Sequence, residues 1–166
     1  MTKNELRIRP ATEADCDAIW RIFHAVVARE DTYAFPADMP REDALVAWMG
    51  PGIDTFVAED DSGIVGTYTV NPNQQGRGNH VANCAYMVAP EAQHQGVGRA
   101  MAEHSLEDAR ARGYRAVQFD FVVSTNAAAI HLYRELRFEI VGTLPGAFRH
   151  PENGEVDVYV MYRRLD

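Results

Sequence analysis

Residues 88–101 read VAPEAQHQGVGRAM, and this stretch joins the end of a strand to the start of a helix. Pro90 ends the strand, and Gly96 and Gly98 allow a tight turn and a close approach of the backbone to a ligand. The first N–H groups of the following helix have no partner within the helix, and its dipole places partial positive charge there. The stretch therefore predicts an anion site, suited to phosphate, at the start of this helix.

Two other glycine-rich phosphate motifs do not fit this spacing. A P-loop needs Gly-Lys-Ser/Thr, whereas Arg99 follows the last glycine here. A dinucleotide-binding G-x-G-x-x-G needs a third glycine, and Met101 stands in that place. The remaining pattern is Gln93-x-x-Gly96-x-Gly98, for which a plain tight turn between strand and helix is the alternative explanation.

The spacing of apolar residues predicts seven strands and four helices in a single domain over residues 1–166. The fourth and fifth strands flank a helix, so a right-handed crossover makes them parallel neighbours. The order of elements predicts an α/β fold, a mixed sheet with helices on both faces. The predicted strands are 6–10, 55–59, 64–70, 80–88, 116–123, 139–144 and 156–162, and the predicted helices are 16–27, 41–49, 98–112 and 127–136.

A second motif lies one strand beyond the first. Residues 126–138, NAAAIHLYRELRF, resemble the signature N-x-x-A-x-x-L-Y-x-x-L-G-F of the GCN5-related N-acetyltransferases, the GNAT family. The pattern at Gln93, Gly96 and Gly98 resembles the family's acetyl-coenzyme A motif, Q/R-x-x-G-x-G/A. The resemblance covers nearly the whole chain and implies the GNAT-like acyl-CoA N-acyltransferase fold, a mostly antiparallel seven-stranded sheet with strands 4 and 5 splayed apart. Arg137 departs from the family glycine, which bears on the turn after the helix.

Composition and charge exclude several classes of protein. The chain is 46% apolar and 24% charged, as in an ordinary soluble globular protein, and its net charge of −8 argues against general nucleic-acid binding. No stretch approaches the ~18 apolar residues of a membrane span, and no signal region opens the chain, so we expect a cytoplasmic protein. Cys16 and Cys84 are expected to be reduced packing residues. The six histidines have no metal-site spacing, and we predict no metal.

The resemblance implies acetyl-CoA as co-substrate, with its thioester arm in the gap between strands 4 and 5. The backbone groups of Met87 and Val88 would then pair with the arm, and the Val88 N–H would hold the thioester oxygen. The Asn126 side chain would also bind the arm, although a plain helix N-cap is the alternative. The residues implied in binding the pyrophosphate are Gln93, His94, Gln95, Gly96, Val97, Gly98 and Arg99.

Two residues are candidates for proton transfer. The resemblance implies that Tyr133 protonates the leaving thiolate, whereas its helical spacing alone would make it a core aromatic. Asp120 interrupts an apolar strand beside the gap and could accept a proton or bind an ammonium group, with Glu59 or a water chain as alternatives. Asp120 could also simply face solvent. Direct attack by the amine needs no covalent enzyme intermediate.

The substrate side is less well determined by the sequence. Residues 71–83 and 142–148 resemble the subgroup that includes azetidine-2-carboxylate N-acetyltransferases, which implies that Asn83 binds a substrate carboxylate, with Arg77 or His80 assisting. Ordinary turn chemistry is the alternative for the first segment. Tyr33 and Phe35 could line the substrate pocket or plug their loop. We expect a small amine or imino acid as substrate; a peptide N-terminus, or a non-catalytic acetyl-CoA-binding module, stays open, as does a homodimer.

Overall fold

The computed structural model describes residues 5–166 and contains one seven-stranded sheet and four helices. The predicted elements are all present, although the last two strands extend further than expected. The strands are β1 (Arg7–Pro10), β2 (Asp54–Asp60), β3 (Gly63–Pro72), β4 (Val81–Val88), β5 (Ala116–Val123), β6 (Glu139–His150) and β7 (Gly154–Arg164), and the helices are α1 (Cys16–Val27), α2 (Arg41–Met49), α3 (Val97–Ala111) and α4 (Ala127–Glu135).

The strands are arranged in the order β1-β2-β3-β4-β5-β7-β6, and each neighbouring pair is antiparallel except β4 and β5. This confirms the predicted mostly antiparallel sheet. The β6–β7 ladder continues past Leu144, the predicted end of the sixth strand, through an irregularity that ends at Phe148. The two strands thus form one long hairpin that projects beyond the rest of the sheet.

Strands β4 and β5 separate soon after they begin. They pair only at Val81 with Ala116 and at Ala82 with Val117. Further along, β5 carries an extra residue relative to β7, between Phe119 and Val122. The predicted splay is therefore present, and it opens the sheet toward the carboxyl end of β4.

Helices cover both faces of the sheet, as predicted. On one face, the Trp48 indole of α2 donates a hydrogen bond of 3.0 Å to Thr67 of β3. On the other face, Tyr86 of β4 and Ser105 of α3 share a hydrogen bond of 2.6 Å. Helix α3 lies very close to β3 at Gly66, where a Cβ atom would come within 2.9 Å of Met101. A side chain at position 66 would therefore push α3 away from the sheet.

A Schellman motif ends α4. The N–H of Phe138 donates to the carbonyl of Tyr133 at 2.9 Å, and the N–H of Arg137 donates to the carbonyl of Arg134 at 2.9 Å. The Phe138 ring also packs against Tyr133, with ring centroids 5.9 Å apart. Arg137 has φ +65°, so the chain makes the left-handed turn that glycine would favour, with arginine in its place. The departure from the family glycine leaves the turn geometry intact.

Replacing Arg137 with glycine should stabilise the protein by roughly 0.5–1 kcal/mol, because the left-handed conformation costs arginine about 1–2 kcal/mol, partly offset by the greater entropy of unfolded glycine. Urea unfolding measures this difference. Arg134→Gly, at a right-handed position in the same helix, is the matched control and should lose about 1 kcal/mol. A loss of stability in both variants would show that position 137 gains nothing from glycine.

Candidate active site

A cleft of about 890 Å³ passes through the sheet where β4 and β5 separate. It brings together most of the residues that the sequence predicted, from both motifs and from the substrate side. Within the described part of the chain, Gln95, Arg77 and His80 are not among its lining residues. The predicted residues that line it are Phe35, Asn83, Met87, Val88, Gln93, His94, Gly96, Val97, Gly98, Arg99, Asp120, Asn126 and Tyr133.

The glycine motif forms one end of the cleft, at the start of α3. Gly96 is the N-cap residue, with φ +84°, and His94 before it is also left-handed, with φ +60°. These two turns bring the chain into α3 with its first N–H groups at the mouth of the cleft. Arg99 forms ion pairs with Glu135 of α4 and, at 3.7 Å, with Glu103 of its own helix. The Arg99 side chain therefore ties α3 to α4 beside the glycine loop.

The direction of the β4 backbone groups follows from the ladder with β3. Ala89 donates to Val65 of β3, and peptide groups alternate in direction along a strand, so the N–H and C=O of Met87 also face β3. Those of Tyr86 and Val88 face the gap. The expectation that Met87 offers free backbone groups to a ligand is therefore wrong, and Met87 contributes a buried side chain instead. The backbone of Val88 does face the cleft.

Tyr33 fills the gap beside Tyr86. Its hydroxyl donates a hydrogen bond of 2.7 Å to the Tyr86 carbonyl and accepts one of 3.1 Å from the Tyr86 N–H. The Tyr33 ring packs against Phe35 and Trp48, so the loop is both a plug and a wall of the cleft. The sequence indicated an aromatic residue in this loop, but the role of its hydroxyl depends on the direction of the Tyr86 peptide, which no sequence pattern reveals.

Tyr133 combines the two roles that the sequence left open. Its ring packs against Phe119 and Tyr86, with centroids 4.4 and 6.2 Å away, so it belongs to the aromatic core between α4 and the sheet. The residue also lines the cleft, and among the described residues its hydroxyl has no hydrogen-bond partner. Burial raises the pKa of Tyr133 far above its usual value, and the nearby Tyr33 and Cys84 raise it further. The hydroxyl therefore keeps its proton.

Asn126 likewise has a structural contact and faces the cleft. Its side-chain oxygen accepts a hydrogen bond of 3.3 Å from the N–H of Ala129, which makes it the N-cap of α4. The cap uses the oxygen of the amide. The amide nitrogen is a donor that the cap does not use, and it is left available at the cleft.

Asp120 lies in a cluster of amides at the other end of the cleft. Its carboxylate is exposed, as in the alternative in which Asp120 faces solvent. It accepts hydrogen bonds from Asn83 at 3.0 Å and from Gln118 at 2.7 Å. With its amide nitrogen turned toward the carboxylate, Asn73 donates a further one at 2.8 Å. Asn83 is thus held in place by Asp120, and the cluster presents both a negative charge and amide donors.

Three other candidates, Arg77, His80 and Glu59, lie elsewhere, whereas Cys84 lines the cleft. Arg77 is exposed in a short 3-10 turn, and His80 is exposed just before β4, so neither assists at the cleft. Glu59 accepts hydrogen bonds from Arg9 at 3.1 Å and does not line the cleft, which removes it as a candidate base. Cys84 is buried, and burial raises the pKa of its thiol to about 12. Cys84 is therefore a packing residue, as expected, and not a thiolate nucleophile.

Over residues 5–166, no group of three or more His, Cys, Asp or Glu side chains is arranged to hold a metal ion. In the same range, no helix has both the length and the apolar character needed to cross a membrane.

Residues 19–138 match the acetyltransferase (GNAT) family. The chain is 34% identical to L-amino acid N-acetyltransferase AaaT of Escherichia coli K12, over 96% of this chain and 98% of that protein. It is 30% identical to N-acetyltransferase aca1 of Schizosaccharomyces pombe over 66% of this chain, and it spans about half, 53%, of that relative. The solved structure of a GCN5-related N-acetyltransferase from Kribbella flavida is 40% identical, with a TM-score of 0.91 over 96% of this chain and 97% of that one.

Proposed function

The chain belongs to the GNAT family of acetyl-CoA-dependent N-acetyltransferases, and on that basis we propose that it acetylates the amino group of a free amino acid or a related small amine. The amine attacks the acetyl carbon directly while donor and acceptor are both bound. The observation that carries this proposal is the cleft through the sheet, which has the N-terminus of α3 at one end and a carboxylate–amide cluster at the other.

The residues of the glycine motif fit the donor. Acetyl-CoA, when bound, supplies an acetyl group activated as a thioester. The N–H groups between Gln93 and Arg99 would hold its pyrophosphate, because they lie at a helix start reached through the left-handed Gly96. The Val88 backbone faces the gap and would pair with the arm as a neighbouring strand would, its N–H holding the thioester oxygen. The amide nitrogen of Asn126 would donate to the same arm.

The proton-transfer residues lie on the two sides of the gap. Tyr133 holds a proton at Oη for the sulfur that leaves when the C–S bond breaks. Its raised pKa suits this role, since the phenol keeps its proton at the pH at which an amine begins to lose its own. Asp120 is placed to bind the ammonium form of the acceptor and to receive its proton, directly or through water. Asn83, anchored on Asp120, would donate to the acceptor carboxylate.

Release of coenzyme A with a panel of acceptors tests the proposed function. We expect turnover with free L-amino acids, and at least tenfold lower kcat/KM with peptides of three or more residues, because the Tyr33–Phe35 loop forms a wall of the cleft and narrows it for a longer acceptor. Faster turnover with peptides would assign the chain to peptide N-termini. Donor binding without turnover of any amine would make it a binding module.

The donor end is tested by a pair of glycine variants in α3. Gly96 and Gly113 lie just before and beyond the helix, have φ +84° and +87°, and have no atom within 4 Å of a built Cβ. Alanine should cost each about the same stability, roughly 1 kcal/mol. Only Gly96→Ala should weaken acetyl-CoA binding in a calorimetric titration, by about tenfold or more. Equal affinities in the two variants would contradict the donor site at Gly96.

Tyr133→Phe tests the proton donor. It removes one oxygen and keeps the ring packing, so kcat should fall roughly 10²–10⁴-fold with the melting temperature and donor affinity little changed. Tyr114→Phe, at a tyrosine that does not line the cleft, should leave kcat unchanged. If Tyr133→Phe instead lowers the melting temperature and keeps its turnover, Tyr133 is a core residue and water protonates the thiolate.

A further inference from the structure

A second crevice, of about 490 Å³, adjoins the acceptor end of the cleft. It lies between the loop that follows α1 and the projecting end of the β6–β7 hairpin. Its volume is within the ~300–1,000 Å³ of small-molecule sites. The residues that line both spaces are Tyr33, Ala34, Phe35 and Phe121. The crevice is therefore an extension of the acceptor site, separated from the cleft by one layer of side chains.

Aromatic rings form part of the crevice wall. Phe121 and Phe148 pack edge to face with ring centroids 6.2 Å apart, and Phe35 stacks on Tyr33 at 6.0 Å. Phe121 is still 39% exposed, so the ring offers surface that the fold does not cover. An exposed aromatic surface inside a concavity is a place where an apolar group gains by leaving water.

The extra residue in β5 explains why Phe121 faces this crevice. In regular alternation, Phe121 would share the α4 face with Phe119. The register shift places Val122 opposite Tyr159, and therefore on the face of Phe119, so Phe121 turns to the side of Asp120 and Asn83. Asp120 and Phe121 are consecutive, and they line the acceptor end and the crevice, respectively.

The charged residues of the crevice lie at its rim. Arg149 and Glu155 face each other across the hairpin at 3.7 Å, with 90% and 66% of their side chains exposed. Glu30 is exposed on the opposite wall. These charged side chains are solvated. Gly146 lies in the β6 irregularity, with a left-handed φ of +60°. Its N–H donates a hydrogen bond of 3.0 Å to the Asp157 carboxylate, which fixes the hairpin wall of the crevice.

We propose that this crevice binds the side chain of the acceptor, and that the preferred acceptors are amino acids with large apolar side chains. This inference rests on the proposed function. The acceptor's amino group lies at Asp120, and its side chain extends past Phe121 to contact the rings of Phe35 and Phe148. An acceptor with a small side chain makes the contacts at Asp120 but leaves the crevice empty.

A series of acceptors tests the inference in the wild-type protein. The value of kcat/KM should rise from L-alanine through L-valine to L-methionine and L-phenylalanine, by up to roughly fourfold for each methylene that the crevice buries. L-Lysine, which is as long but charged, should fall well below L-methionine.

Substitutions that fill the crevice test the inference in variants. Ala147 lines the crevice, so Ala147→Trp should lower kcat/KM for L-phenylalanine and L-methionine at least tenfold and leave L-alanine within about twofold. Val141→Trp is the matched control, since Val141 is 59% exposed on the same strand and outside the crevice; it should change none of these values. Ala147→Leu is a smaller change and should lower kcat/KM for L-phenylalanine and L-methionine by an intermediate factor. It replaces the tryptophan variant in this test if that variant does not fold.

The outcomes separate the inference from its premise. Turnover of amino acids without a preference for large apolar side chains, or a loss in Ala147→Trp that is equal for all acceptors, overturns the crevice assignment and leaves the proposed function standing. No turnover with any free amino acid overturns both.

Discussion

The separation of β4 from β5 is the constraint on which the rest of this structure depends. After two paired positions, β4 loses its neighbour on one side, and its backbone N–H and C=O groups need other partners. A buried polar group left without a partner costs roughly 1–3 kcal/mol. The sheet meets this requirement in two ways: the Tyr33 hydroxyl serves both groups of Tyr86, and the next gap-facing residue, Val88, opens to the cleft.

Three tyrosines surround the gap, and burial raises the pKa of each. Tyr33 bonds the backbone and Tyr86 bonds Ser105, whereas the hydroxyl of Tyr133 is directed to the cleft. The first two hydroxyls are thus used by the fold, and the third is available for chemistry. The Schellman turn at Arg137 and Phe138 holds Tyr133 in this place, because its 6→1 bond ends on the Tyr133 carbonyl.

The sequence predicted the elements and the glycine turn before α3 well, because both follow from local patterns: apolar spacing, a proline at a strand end, glycines before a helix. It failed where the outcome depends on how distant segments align. The free backbone could be assigned to Val88 and not Met87 only once the β3–β4 register was known. The turn-forming residues around Arg77 and His80 do not determine where these two side chains point. The extra residue in β5 beside Asp120 and Phe121 likewise has no signal in the sequence.

The contact between Tyr33 and Tyr86 also bears on local stability. At this point the sheet is completed by one side chain on a loop and not by a strand, so its hydrogen bonds can open without disturbing the ladder between β3 and β4. The amide proton of Tyr86 should then exchange with solvent through movement of the loop alone, at a lower free energy than the amide of Met87, which opens with the sheet. Two adjacent residues of one central strand would thus belong to different cooperative units.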